Sequence, residues 1–280
     1  MPGNSGGKPA AKRPRRGAQP GPDKQPRSAA GSAGLSAISR YLAETRAPLT
    51  AAALTLPLLC IYGLGTLMLP GARNGADLLT SSLAMGFAAA GWAGWRPWAS
   101  FYGALIVVNL GIVVWLSRRA RFSRHMLPPL LLECACYAVL TGTTSDWLTD
   151  QVLDAARTHL AMTPLATASG SDPWTGIVIS AGAGLHEELV FRLLGIGVVA
   201  RAWLGTTWRT DTTRVVALAL ISSLVFAGVH HIAEPFTWGA MVFRTVAGLV
   251  FAALYLARGF AVAAWTHALY DVWILVVLAR

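Results

Sequence analysis

Residues 185–194 read Leu-His-Glu-Glu-Leu-Val-Phe-Arg-Leu-Leu, so two adjacent carboxylates and an arginine lie inside an apolar run over 174–204. An ionisable side chain in a membrane helix costs about 2.5–3.5 kcal/mol on insertion scales and is functional by default. Helix geometry assigns these three different work. Glu188 and Arg192 are four apart, share a face and can pair, which lowers the desolvation cost of each. Glu187 lies about 100° further round the helix, outside that pairing and beside a like charge. A carboxylate in an apolar setting next to a structural ion pair suits a general base. The competing reading is a polar knot that pins two helices together.

Two further polar clusters follow in apolar segments. Phe226-x-x-x-His230, with His231 beside it, closes one segment, and His267-x-x-x-Asp271 sits in the middle of the last. The four-residue spacing puts His267 and Asp271 on one helix face. A lone membrane histidine is more often a packed, hydrogen-bonded residue than a catalyst. Three helices that each bring such a group are a much rarer accident. Glu133 and Arg244 are additional intramembrane charges, read chiefly as structural partners.

The elements that must position these groups are membrane helices. Of 280 residues, 54% are hydrophobic and 13% charged, where a soluble domain carries about 25% charged residues. The apolar runs are long and rarely alternate, which excludes a strand reading. The sequence predicts an all-α, polytopic transmembrane helical bundle with spans near 49–69, 98–116, 126–148, 174–204, 215–232, 238–257 and 260–279. A weaker stretch, 78–95, is rich in Gly, Ala and Ser and ends at Arg96-Pro97. If it does not cross, the basic loop at 118–124, the loop with Arg201, Arg209 and Arg214, and Arg258 share a side. The polar stretch with Asp146, Asp150, Asp154 and Asp172 then lies on the other. Seven crossings plus one partial segment is therefore the favoured reading, with eight as the alternative.

Residues 1–47 carry nine Lys and Arg against Asp23 and Glu44, so +7 of the net +10 lies there. That concentration removes the nucleic-acid meaning of the net charge. The segment's Gly, Pro, Ala and Ser content predicts a disordered basic tail lying on an anionic leaflet, with the N-terminus inside. Behind it, 48–173 reads as N-terminal transmembrane helices and 174–280 as the core that carries the chemistry. Cys60, Cys134 and Cys136 all fall in apolar segments and read as small core residues, with neither disulfide nor metal.

Glu187-Glu188-x-x-x-Arg192, Phe226-x-x-x-His230 and His267-x-x-x-Asp271, in that order, resemble the three motifs of the CPBP family of intramembrane proteases. This family includes the CAAX prenyl endopeptidases and the bacterial Abi-type proteins. The flanking text agrees: Ser222-Ser223 before Phe226, and 243–256 with Gly248 ahead of His267. The resemblance covers about 174–273. It implies an endopeptidase of glutamate type, in which Glu187 activates a water with help from His230. Glu188 and Arg192 would hold the architecture. His267 with Asp271 would stabilise the oxyanion or place the substrate. Asp271 stands where the CAAX branch usually has Asn, and an ionised carboxylate cannot donate to an oxyanion. The preferred role for Asp271 is therefore to orient His267 by accepting from its ring N–H. The departure weighs against a prenylated substrate.

Zinc has to be weighed beside this. His186-Glu187 opens an H-E-x-x-H pattern that fails at Val190. Glu187, His230 and His267 would still give three ligands and an open position, so zinc stays open while a cofactor-free site is favoured. The implied substrate is a membrane-embedded or lipidated protein or peptide, with the lipid bilayer as surroundings and no nucleic acid. The implied location is the cytoplasmic (inner) membrane of a bacterium. The alternatives are a non-catalytic immunity or scaffold protein of the same fold, and a proton-coupled transporter. The lack of an internal repeat weakens the transporter.

Overall fold

In a computed structural model, residues 27–69, 71–72, 85–92, 94–120, 122–156, 172–232 and 234–278 are described, together with Gly3. Contacts divide the chain into Met1–Ser39 and Arg40–Arg280. Among the described residues there are helices and no strands. The helices are α1 (Arg27–Thr45), α2 (Pro48–Met68), α3 (Arg96–Ser117), α4 (Leu127–Ala156), α5 (Pro173–Glu187), α6 (Val199–Leu204), α7 (Thr212–His230), α8 (Trp238–Arg258) and α9 (Phe260–Val272). A π-helical stretch, Glu188–Val198, joins α5 to α6 without a break, and another, Trp273–Leu278, extends α9. Seven of these helical stretches are long and apolar enough to cross a membrane. This is the all-α bundle that the apolar runs predict. Large apolar side chains such as Val107, Leu110 and Trp115 on α3 are exposed, as residues facing lipid tails would be.

Local chemistry sets the helix ends. The Asp172, Asp211 and Thr237 side chains accept from the backbone N–H groups of Thr175, Arg214 and Ala240, capping α5, α7 and α8. Gly259 alone joins α8 to α9 at φ +91°, a left-handed conformation that favours glycine. The α4 helix outruns its expected end near 148, because Thr149 and Leu153 are buried while Asp150 and Asp154 are exposed. A helix with one buried stripe continues through carboxylates on its other face.

The C-terminal half of α2 packs on the N-terminal half of α3. Leu58, Leu59, Tyr62 and Ala72 share a core with Trp98 and Tyr102, and Tyr102 closes on Gly63. The two helices are antiparallel, so the segment between them starts and finishes on one side of the bundle. Within it, residues 85–89 form a short exposed helical turn, and 73–84 lie outside the described residues. The seven-crossing count fits that arrangement. The loop 157–171, including Arg157, also lies outside the described residues.

The described end of the basic segment departs from the tail reading. Residues 27–45 are helical, and in the last turn of α1 Thr45 is buried. Arg258 donates to Glu133 through Nε at 2.6 Å and Nη2 at 2.8 Å, and to Thr45 Oγ1 at 3.1 Å. The Tyr41 hydroxyl donates to the same Glu133 carboxylate at 2.5 Å. Burial, with the carboxylate beside it, pushes the Tyr41 phenol above its ordinary range, so it remains a donor. A shared anion explains why this turn is ordered despite its composition. Glu133 and Arg258 are thus each other's partners. The cysteines are free: Cys134 is buried, and Cys136 is exposed rather than in the core.

Small residues let α5 and α9 approach closely. A Cβ on Gly184 would meet the Ala264 carbonyl oxygen and lie 2.8 Å from the Ala268 nitrogen, neither of which can turn aside. Gly184→Ala is therefore expected to destabilise the fold by about 1–3 kcal/mol. Thermal unfolding of the detergent-solubilised protein measures it, and an unchanged midpoint would mean that the two helices do not meet at this position.

Candidate active site

The π-helical stretch begins at Glu188, immediately after Glu187. Such widened turns leave carbonyls that need partners and recur at functional sites. Here the Phe191 carbonyl accepts from Ser222 Oγ of α7 at 2.6 Å. The stretch lies against α7, α8 and α9, which brings the three predicted clusters together.

Glu188 and Arg192 pair at 3.0 Å, both fully buried. Arg192 Nη2 also donates to the Gly248 carbonyl of α8 at 3.1 Å. Its guanidinium lies 4.5 Å from the centroid of Phe226 and 5.5 Å from that of Phe251. The arginine is therefore held by a carboxylate, a carbonyl and two aromatic faces on three helices, with Phe226 as a wall of its compartment.

Glu187 faces two histidines from different helices. His230 Nε2 is 3.8 Å from Glu187 Oε2, and His267 Nε2 is 3.6 Å from the same oxygen. Both lie beyond direct hydrogen-bond range. His230 Nδ1 is 2.8 Å from the Phe226 carbonyl, one turn back on α7. A carbonyl can only accept, so Nδ1 carries the proton, and in the neutral ring Nε2 presents its lone pair toward Glu187. Phe226 contributes twice, through this carbonyl and through its ring, 4.9 Å from the His230 ring.

His267 is held differently from the sequence expectation. Its Nδ1 lies 2.8 Å from Glu188 Oε1, whereas Asp271 Oδ2 is 3.7 Å from Nε2, too long for a hydrogen bond. The group that orients the imidazole is therefore Glu188 rather than Asp271. The imidazole nitrogens face different sides of the ring, so one side chain reaches both glutamates although these diverge on their own helix. The Phe251 ring lies nearly parallel to His267, with centroids 4.4 Å apart and planes at 13°, which fixes the ring plane.

The sequence reading passed over Phe251. It lies three residues after Gly248 and seven after Arg244, one continuous face of α8. Arg244 pairs with Glu234 of the segment following α7. His186, which suggested part of a zinc motif, belongs elsewhere: its Nδ1 donates to the Gly182 carbonyl at 2.9 Å and Tyr102 lies 3.2 Å from Nε2. Among the described residues no group of three or more His, Cys, Asp or Glu side chains has a metal-holding arrangement.

Residues 169–273 match the family model described as Type II CAAX prenyl endopeptidase Rce1-like. The matched stretch contains all three motifs and closely coincides with the stretch on which the resemblance rests. No curated protein and no solved structure matches the chain. With seven apolar helices, the match describes an integral, multi-pass membrane protein.

Proposed function

We propose that this chain, whose residues 169–273 match the Type II CAAX prenyl endopeptidase Rce1-like family model, is an intramembrane endopeptidase acting on a membrane-associated protein or on a lipidated or C-terminal sorting segment. The observation that carries this reading is the convergence of Glu187 Oε2 with the Nε2 atoms of His230 and His267 in a buried compartment. Glu187 is the general base. It takes a proton from a water placed between its carboxylate and His230 Nε2, as the water oxygen attacks the scissile carbonyl. His230 is set for the partnership by its Nδ1 bond to Phe226. His267, oriented by Glu188, faces the same space with Nε2 and supports the developing oxyanion when that nitrogen bears a proton. The protonated Glu187 then returns its proton to the leaving amine. Asp271, at the edge of the site, places the substrate.

Comparison of membrane-protein termini in cells carrying the wild-type chain or Glu187→Gln tests this. New termini should appear only with the wild type, and identical termini in both would sink the reading. For the purified enzyme, activity is expected to survive extensive chelation. Loss on chelation with recovery on adding zinc would instead assign the water to a metal.

A further inference from the structure

The two ends of the bundle differ in charge. At one end Arg258 is bonded to Thr45 and Glu133, and Gly259 approaches Arg46. Trp208 of the 205–210 turn shares a cluster with Leu256 at the end of α8. A single cavity is lined by Thr45, Ala47, Ala120, Ser123 and Met126. Arg46, Arg118, Arg119, Arg124, Arg209 and Arg258 therefore lie at one end. At the other, Gly239 faces Leu153 and Gly176 faces Leu275 and Val276. That end carries Asp150, Asp154, Asp172 and Glu234. Its described arginines are Arg96 and Arg244, the latter paired with Glu234.

The site is not central between these ends. His230 is the last residue of α7, at the acidic end. Its side chain is 23% exposed and that of Asp271 is 20% exposed, whereas Glu187 and His267 are at 4% and 5%. Glu188 and Arg192, on the basic side of Glu187, are fully buried. Beyond them Ile196, Ala252, Tyr255 and Ala263 fill the bundle toward the basic end. The more exposed groups of the site, His230 and Asp271, thus lie on its acidic-end side. The chain beside it carries exposed Ile232, Phe236 and Trp238, apolar residues suited to the membrane interface.

Basic loops remain on the cytoplasmic side of a membrane. Resting on the peptidase reading above, we propose that the site opens to the non-cytoplasmic face. Its substrate is a membrane-anchored polypeptide whose cleaved segment lies in the outer leaflet region or just beyond it. A cytoplasmic lipidated tail would meet the basic end, which the buried Glu188–Arg192 pair and the Ile196 cluster separate from Glu187.

Single cysteines test this in the full chain after removal of Cys60, Cys134 and Cys136. In intact spheroplasts, a membrane-impermeant maleimide should label Phe236→Cys, and Thr207→Cys only after permeabilisation. Phe236→Cys reached only after permeabilisation overturns the proposal, and so does labelling of Thr207→Cys in intact spheroplasts. Should the cysteine-free chain fail to accumulate, short protease sites inserted at 207 and at 236 with the native cysteines kept give the same readout. The substrate is tested separately by the wild-type against Glu187→Gln comparison of termini. The new termini should fall in non-cytoplasmic segments, and cytoplasmic ones overturn the assignment. If no terminus changes, the peptidase reading fails and takes the substrate with it, while labelling still decides where the site opens.

Discussion

Glu187→Gln is expected to lower turnover by about 10²–10⁴-fold, the usual contribution of a positioned general base, while the protein inserts and unfolds like the wild type. The amide keeps the size of the carboxylate but cannot take a proton from water. The surrounding packing is kept by a side chain of the same size, and the 3.8 and 3.6 Å approaches of Oε2 to His230 and His267 lose the charge without losing the shape. The measurement pairs turnover with the thermal midpoint of the same preparation. A Glu187→Gln protein that loses as much stability as an Arg192 variant would mean that Glu187 is architectural, and the base would have to be sought elsewhere.

Arg192→Ala is expected to have the opposite profile, with stability lost first. It would leave Glu188 buried and charged without its cation, which costs about 3–5 kcal/mol for such pairs. It would also remove the Gly248 bond and the contacts with Phe226 and Phe251. Arg192→Lys should recover little, since an ammonium cannot span a carboxylate, a carbonyl and two ring faces at once. Glu188→Gln falls between: it removes the charge paired with Arg192 but keeps an oxygen for His267 Nδ1. Thermal unfolding in detergent reads all three, and a wild-type midpoint for Arg192→Ala would sink the assignment. Residual turnover of any folded Glu188→Gln separates support of the fold from orientation of His267.

Much of this protein was legible without coordinates. Long apolar runs define the crossing helices because a bilayer demands internally bonded segments of about 20 residues. Glu188 with Arg192, and Phe226 with His230, could be read as pairs because four residues bring side chains to one helix face. The order of the three motifs carried the family resemblance, and the matched region coincides with it. The same spacing misassigned the partner of His267. It put Asp271 on the right face of α9 but could not say that Glu188, from another helix, comes closer.

Other contacts depended on assembly throughout. Glu133 and Arg258 are 125 residues apart, and nothing in their neighbourhoods announces the pair. Composition read 27–45 as tail, whereas its last turn reaches the anion that Glu133 presents and takes helical order there. The π-helical stretch at Glu188 has no Pro or Gly at its start to signal it. It is matched instead by Ser222, a hydroxyl on another helix that satisfies the Phe191 carbonyl. Periodicity along one chain encodes which residues share a face. Which faces meet, at what rotation and depth, follows from fitting Gly184 against Ala264, Gly63 against Tyr102 and Gly248 against Ser223. That fit is a property of the packed bundle, and it is what brings Glu187, His230 and His267 together.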